Sequence, residues 1–444
     1  MNTRPVFRFR VGWPLVGLMP ALAWASLATL GGCPGSGGGT IIEPNTPAPA
    51  NTTDKGNNGA RYVGTAACVQ CHGAYAASHD RHAHAHKLTR IQGQPPSYPA
   101  STSDGVPNPP AGYRWEDISY VVGGYTGAAR FVDLQGYLVT TGGTGVPTQW
   151  NLAFGPAAIV AGFANFFAGD PQPKPYDFER FAYHVTGAAA PDPAAPLFQD
   201  NRAGMAGTFF EPGVQCEACH GPGSNHFRSF PGSVIVNRAA IYTDVSGAAT
   251  CGSCHSRPYG APSTTIQAAD GYIRDQSQWA ELKASGGHSS FACGVCHDPH
   301  EGLTFGQRSI AIRNTCTACH RSQNMAGHGG KVYRRASDGY TEPLTCESCH
   351  MPYATREAVS APAAAVGPVA RVGDKRTHIF RISTADVDYR QFFTPDGTQV
   401  RLDAQGRAAV TVDFVCLRCH NDNGLFGLTL PRAAEIAPNV HLLP

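Results

Sequence analysis

Cys216-Glu-Ala-Cys219-His220 opens a run of five copies of one pattern, Cys-x-x-Cys-His. The others are Cys251-Gly-Ser-Cys254-His255, Cys293-Gly-Val-Cys296-His297, Cys316-Thr-Ala-Cys319-His320 and Cys346-Glu-Ser-Cys349-His350. Outside the run lie two more, Cys68-Val-Gln-Cys71-His72 and Cys416-Leu-Arg-Cys419-His420. This spacing suits a covalent c-type haem: two thiols bond the porphyrin vinyl groups and the next imidazole takes the proximal iron position. At this composition about 0.02 such strings would arise by chance. The pattern therefore predicts seven heme c groups, with proximal ligands His72, His220, His255, His297, His320, His350 and His420.

Other uses of paired cysteines fit less well. Structural zinc sites do not place a His directly after every second Cys. A disulfide framework explains an even cysteine count but not the adjacent histidines, and a thioredoxin-like site needs one pair rather than an array. The motifs consume every cysteine of the 15 except Cys33. With 51 Gly and 35 Pro in 444 residues the chain is turn-rich, well above the usual combined share of about 12%. The expected fold class is mainly short α-helices and coil organised around covalent haems, with a small β-rich insert. Porphyrin faces would supply the apolar core. A formal charge of +2 gives no footprint for nucleic acid or an anionic membrane, and no phosphate-cradling loop is present.

The N-terminus reads as an export signal. Arg4, Arg8 and Arg10 precede an uncharged apolar run from Val11 to Leu30. A spanning helix is the alternative for that length, but Pro14, Pro20 and the small-residue exit favour cleavage. Leu30-Gly31-Gly32-Cys33 resembles the lipobox of bacterial lipoproteins, which would make Cys33 the lipidated mature N-terminus. Residues 1–32 are then a signal peptide and 33–60 a flexible Gly/Ser- and Pro-rich linker. The expected location is exported and anchored to the bacterial outer membrane, on its periplasmic or cell-surface face.

Residues 61–90 form the first haem segment, with the imidazole-rich run His79-Asp80-Arg81-His82-Ala83-His84-Ala85-His86. That run could be a solvent-facing turn, a labile metal site using His82 and His86 on one helical face, or a source of distal haem ligands. Spacing favours His82 or His84. Residues 91–200 read as the β-rich insert. Within it, Ile118–Val122, Ala129–Leu134 and Gly136–Thr141 are β-branched and aromatic runs punctuated by Gly123-Gly124 and Gly142-Gly143. A packing or partner-facing role is expected there. Residues 201–444 form the multihaem domain with haems two to seven, including a small hairpin over 390–414 around Pro395-Asp-Gly397.

The first motif with its His-Ala-His-Ala string, Cys216-Glu-Ala-Cys219-His220-Gly-Pro-Gly with trailing His226, and Cys293-Gly-Val-Cys296-His297-Asp-Pro-His300 resemble the cytochrome c554-like, doubled-motif multihaem family. The resemblance covers most of 61–425, strongly at the motifs and weakly between them. It implies that His300 serves another iron. It also implies that Arg180-Phe-Ala-Tyr183-His184-Val-Thr-Gly187 stands where relatives carry an attachment motif, the cysteines replaced by Arg180 and Tyr183. His184 is then a vestige, a core imidazole or a distal ligand to a neighbour.

Eleven histidines remain beyond the proximal set: His79, His82, His84, His86, His184, His226, His288, His300, His328, His378 and His441. The distal candidates are His82, His84, His226, His288, His300, His328 and His378, with His441 a late addition. Met205, Met325 and Met351 are expected to pack rather than ligate. Enough imidazoles exist to make every iron six-coordinate, which is the pattern of an electron carrier. The expected function is electron transfer in respiratory or extracellular chains, without a catalytic residue. Expected partners are other cytochromes, quinol-linked membrane donors, an external acceptor and the membrane through its lipid anchor. The alternative is an oxidoreductase acting on a small nitrogen or sulfur compound at one five-coordinate haem, which needs an open iron position and nearby acid–base groups.

Overall fold

The computed structural model describes residues 55–442 apart from 100–102, 143, 231–232, 245–246, 261, 304–307, 358–369 and 422–425. The expected signal peptide, Cys33 and most of the expected linker lie outside the described residues. Among those described, no helix is long and apolar enough to cross a membrane.

Helix α1 (Thr65–His79) is rich in Ala, which favours helix. Its N-terminus is held by carboxylates. Glu217 accepts from the backbone N–H of Val63 at 3.0 Å and of Gly64 at 2.7 Å, and Glu211 accepts from that of Thr65 at 3.2 Å. Two anions thus satisfy donors that a helix start leaves orphaned and sit at the positive end of its dipole. No residue of α1 is buried, because the helix borders an internal hollow rather than a packed core.

Next comes a seven-stranded sheet. Its strands are β1 (Leu88–Arg90), β2 (Ile118–Gly123), β3 (Ala128–Asp133), β4 (Tyr137–Leu138), β5 (Gln149–Asn151), β6 (Gly162–Ala164) and β7 (Lys174–Pro175). The order is β1-β2-β3-β4-β7, and β5 pairs with both β3 and β6. Alternation sends Tyr120, Val122 and Val132 to one face, packed on Tyr176, Phe181 and the fully buried Met205. Val121, Ala129 and Phe131 go to the other, with Ile91 and Val139. Both faces are covered, so β2 and β3 are nearly all buried. The β2–β3 turn needs glycine: Gly123 has φ of 74°, and a Cβ there would lie 2.4 Å from the Ala128 carbonyl.

A second core lies toward the C-terminus, where Ile273, Ile379, Phe392, Phe393, Val410 and Phe414 are buried together with Cys349 and Cys416 packed at its edge. Strand Tyr272–Arg274 runs parallel to Thr355–Arg356, and Ile382–Ser383 runs parallel to Val410–Thr411. The expected 390–414 hairpin is reduced to an isolated bridge, Phe393 to Val400, closed by a Gln399 carbonyl accepting from Thr394.

The helical expectation is met only in part. Among the described residues, the α-helices apart from α1 span four to seven residues, and strand is about as abundant as helix. The reason is local. A Cys-x-x-Cys-His segment needs a single turn to aim two sulfurs and an imidazole at one macrocycle, as Cys216–His220 and Cys346–His350 do. Nothing in the motif asks the helix to continue, and Gly221 ends the first of these with φ of 68°.

Candidate functional site

The seven motifs open onto one hollow of about 3480 Å³. A single small-molecule site occupies roughly 300–1,000 Å³, so this space is shaped for several large groups. Cys68, Cys71, Cys216, Cys219, Cys251, Cys254, Cys293, Cys296, Cys316, Cys319, Cys346, Cys349, Cys416 and Cys419 line it, with all seven motif imidazoles. Of these, Cys71 alone is in a disulfide, and haem attachment there requires that bond to be reduced first.

Each motif imidazole faces a second imidazole across the hollow. Ring centroids are 6.4 Å apart for His72 and His226, 6.1 Å for His220 and His300, and 6.0 Å for His255 and His84. They are 6.1 Å apart for His297 and His378, 5.8 Å for His320 and His288, 5.9 Å for His350 and His441, and 6.0 Å for His420 and His328. Two imidazoles on opposite sides of one metal, with metal–nitrogen bonds of about 2 Å, would have centroids roughly 6 Å apart. The residues therefore fit a set of six-coordinate irons.

Hydrogen bonds orient the rings for that role. Nδ1 faces a backbone carbonyl in His220 (Tyr242), His226 (Asn237), His350 (Phe380), His420 (Phe426) and His441 (Asn324), each at 2.9 Å. A carbonyl only accepts, so Nδ1 carries the proton and the Nε2 lone pair is left for a metal. His255 Nδ1 meets Gln278 Oε1 at 3.1 Å to the same effect. Such partners fix the tautomer and raise ligand basicity. The backbone N–H of His378 donates to Glu281 Oε2 at 2.6 Å, and Thr377 Oγ1 donates to the same oxygen at 2.7 Å.

The remaining imidazoles are engaged otherwise. Nε2 of His79 donates to the Val214 carbonyl at 3.0 Å and that of His86 to the Asp80 carbonyl at 2.6 Å. His82, a candidate from the sequence, faces no motif imidazole. It stacks on His84 at 4.3 Å, and its Nδ1 accepts from the His84 backbone N–H. Of the pair favoured by spacing, His84 is the one brought opposite His255. Burial, then the neighbouring His82 and His255, holds His84 well below the usual imidazole range, so it stays neutral. His184 is a core imidazole: it is buried, sits 2.7 Å from the Tyr176 hydroxyl, and lies beside Tyr183 rather than another His. His441 is the partner least legible beforehand, since nothing local marks it. Met205 packs in the sheet core as expected.

Charged groups also border the hollow. Lys375 Nζ lies 2.8 Å from Asp275 Oδ2 and 2.7 Å from Glu357 Oε2. Burial, then the Glu357 charge, pushes the adjacent Asp374 up to about 6. A folded-state value above the unfolded one means that the folded chain holds an extra proton between about pH 4 and 6, so stability falls as pH rises through that window. Asp374→Asn is expected to raise stability by about 1–2 kcal/mol above pH 7, discounted for residual solvent contact, and to change it little below pH 4. Thermal melts at both pH values check this.

No family model matches the chain, and no curated protein matches it. Solved structures do. The octahaem sulfite reductase MccA of Wolinella succinogenes superposes with a TM-score of 0.50 at 15% identity, covering 89% of this chain and 71% of that one. The chain thus has the fold of a multihaem cytochrome. The outer cell wall cytochrome OcwA is similar with a TM-score of 0.40 at 18% identity, covering 76% and 82%. An undecahaem cytochrome from the S-layer of Carboxydothermus ferrireducens is similar at 0.36 and 16%, covering 79% and 52%.

Proposed function

We propose that this protein carries electrons through seven covalently attached c-type haems, each held between two imidazoles. The observation that carries the reading is that every motif imidazole faces a second one at 5.8–6.4 Å. When bound, each haem supplies a one-electron ferric/ferrous couple. The chain's part is to hold axial nitrogens fixed, with Nδ1 anchored to a backbone carbonyl at His220, His226, His350, His420 and His441, so the ligand set does not change with oxidation state. An oxidoreductase would need one iron face left open for substrate, and the pairing supplies an imidazole for each.

The test is electron paramagnetic resonance of the oxidised protein. Low-spin ferric signals alone are expected, unchanged by sulfite, nitrite or hydroxylamine. A stoichiometric high-spin signal that shifts with one of these would favour the oxidoreductase. His378→Ala is expected to convert about one haem in seven to high spin, and an unchanged spectrum would refute the His297–His378 pairing. Export, and lipid attachment at Cys33 that tethers the body to the outer membrane, complete the proposal. More than one acyl chain makes such an anchor stable, and Cys33→Ser is expected to shift the protein from the membrane to the soluble fraction. Redox proteins on either side of that membrane are the partners this arrangement suits.

A further inference from the structure

We infer that the fifth attachment site is a port for electrons, and that its outer face docks an acidic electron-transfer protein. This rests on the multihaem reading above and names the partner class of one site.

Burial singles the site out. In the motifs that begin at Cys216, Cys251, Cys346 and Cys416 no residue is exposed, and in the one that begins at Cys293 only Val295 is. The first and fifth motifs open outward, each with four of its five residues exposed. Around the fifth the opening is continuous: every residue from Arg313 to Asn324 except Cys316 is exposed. Its helix, Cys316–Cys319, buries nothing. Electrons pass between proteins where a redox group comes near the surface, and this turn brings its attachment there.

Charge separates the fifth site from the first. The first lies on α1, which has no Lys, Arg, Asp or Glu. The fifth lies in a stretch from Gly302 to Ser337 that has six cations and no Asp or Glu. The whole chain carries only +2, so the remainder is net acidic. Carboxylates flanking the stretch are engaged. Glu301 accepts from Ser78 Oγ at 2.8 Å, Asp298 pairs with Arg313 at 2.9 Å, and Asp338 pairs with Arg335 at 2.6 Å. Arg321, Lys331 and Arg334 are exposed and have no ion pair among the described residues. Arg321 is held to the motif turn, its Nε donating to the Ala318 carbonyl at 3.3 Å. Hydrogen-bonded turns closed at Gln323, His328 and Lys331 then lead to strand Val332–Arg334. Alternation buries Tyr333 and turns Val332 and Arg334 outward, with Val332 57% exposed. A bare apolar side chain among unpaired cations is the pattern of an interface, apolar at its centre and polar at its rim.

The same features choose the occupant. Small-molecule sites are concave, whereas these cations stand on an open turn and an exposed strand. Three unpaired cations are also fewer than the roughly four to eight that mark recognition of anionic lipid. What they fit is the acidic face of a protein. Unpaired surface charge steers such encounters and speeds them by roughly 10–10³-fold, and electron-transfer interfaces are small and weak. In the docked pair one electron crosses between the partner's redox centre and the fifth haem iron, with no bond or proton changing hands.

The test uses the haem-loaded full chain carrying Cys33→Ser and, as donor, photoreduced plant-type ferredoxin, an acidic one-electron iron–sulfur protein. Haem absorbance reports the second-order rate. In Arg321→Glu/Lys331→Glu the rate should fall about tenfold or more at low salt, and the difference from wild type should close near 1 M salt, where the screening length is about 3 Å. Arg61→Glu/Arg81→Glu, which reverses exposed cations on either side of α1, should leave the rate close to wild type; an equal loss there overturns the assignment to the fifth site. A neutral flavin semiquinone should reduce variant and wild type alike, and an equal loss with it places the defect in the haem and overturns docking. A loss as large with dithionite assigns the face to small anions, and cosedimentation with phosphatidylserine vesicles that the variant abolishes assigns it to a membrane; either overturns the acidic protein partner. Should the variant fail to fold, the wild type decides: its rate with ferredoxin must fall as salt rises, and a flat or rising dependence refutes the proposal. Wild-type protein lacking covalent haem would instead remove the multihaem reading, and the port with it.

Discussion

Expressed without haem attachment, the chain is expected to lose the fold of its motif segments between residues 213 and 350 while keeping the sheet. Circular dichroism should show a large loss of structure, and limited proteolysis should leave a fragment of about residues 86–212. The reason is where apolar side chains are buried. Strands β1–β7 carry two cores of their own, containing Tyr120, Phe131, Phe181 and Met205. The motif helices carry almost none: Cys316–Cys319 buries no residue, and Cys216–His220 and Cys346–His350 bury only Glu217 and Ser348 respectively. A dry void costs roughly 24 cal/mol per Å³. A hollow of about 3480 Å³ at that rate exceeds the roughly 5–15 kcal/mol that holds a typical domain together. Without porphyrins the hollow must flood or collapse, and the motif turns that line it lose the groups they would pack against. A haem-free product with native protease resistance throughout would contradict this.

Glu342→Ala should cost about 3–5 kcal/mol, because it strands buried cations. The Glu342 carboxylate accepts from Arg418 Nη1 at 2.7 Å and Nη2 at 3.2 Å, and from Arg376 Nη2 at 2.9 Å. Arg418 is 3% exposed, and its Nε already lacks a partner. Burial alone would raise the Glu342 carboxyl, yet the Arg418 and Arg376 charges hold it below its usual value. A depressed acid contributes stability that is present above the unfolded value near pH 4.5 and lost as pH falls through the folded one. The melting temperature should drop by about 5–10 °C at pH 7, with less difference from wild type in acid. An unchanged melt would mean that the two guanidinium groups find other anions.

Much of this was legible in the sequence for a simple reason: the attachment chemistry is local. Two sulfurs and an imidazole within five residues declare themselves wherever the chain goes. The sheet was legible too, since β-branched runs between Gly-Gly pairs form hairpins by local rules. Which imidazole meets which was not, because His72 with His226 or His350 with His441 meet only through the fold. Local spacing ranked His82 beside His84, and the difference between them is which ring the fold turns toward His255. His79 and His86 drop out because backbone carbonyls occupy their Nε2 groups, a contact no motif encodes. His184 is compatible with three roles by its local sequence, and Tyr176 in the core holds it there. Short helices do carry several motifs, but one turn is all that the attachment demands, so they do not dominate the fold.

The most direct measurement is the denatured intact mass of protein purified from a host that exports it and attaches haem. The account predicts a polypeptide carrying seven covalent haems in a single dominant species. A mass with none, or with fewer in the fully folded protein, would contradict it.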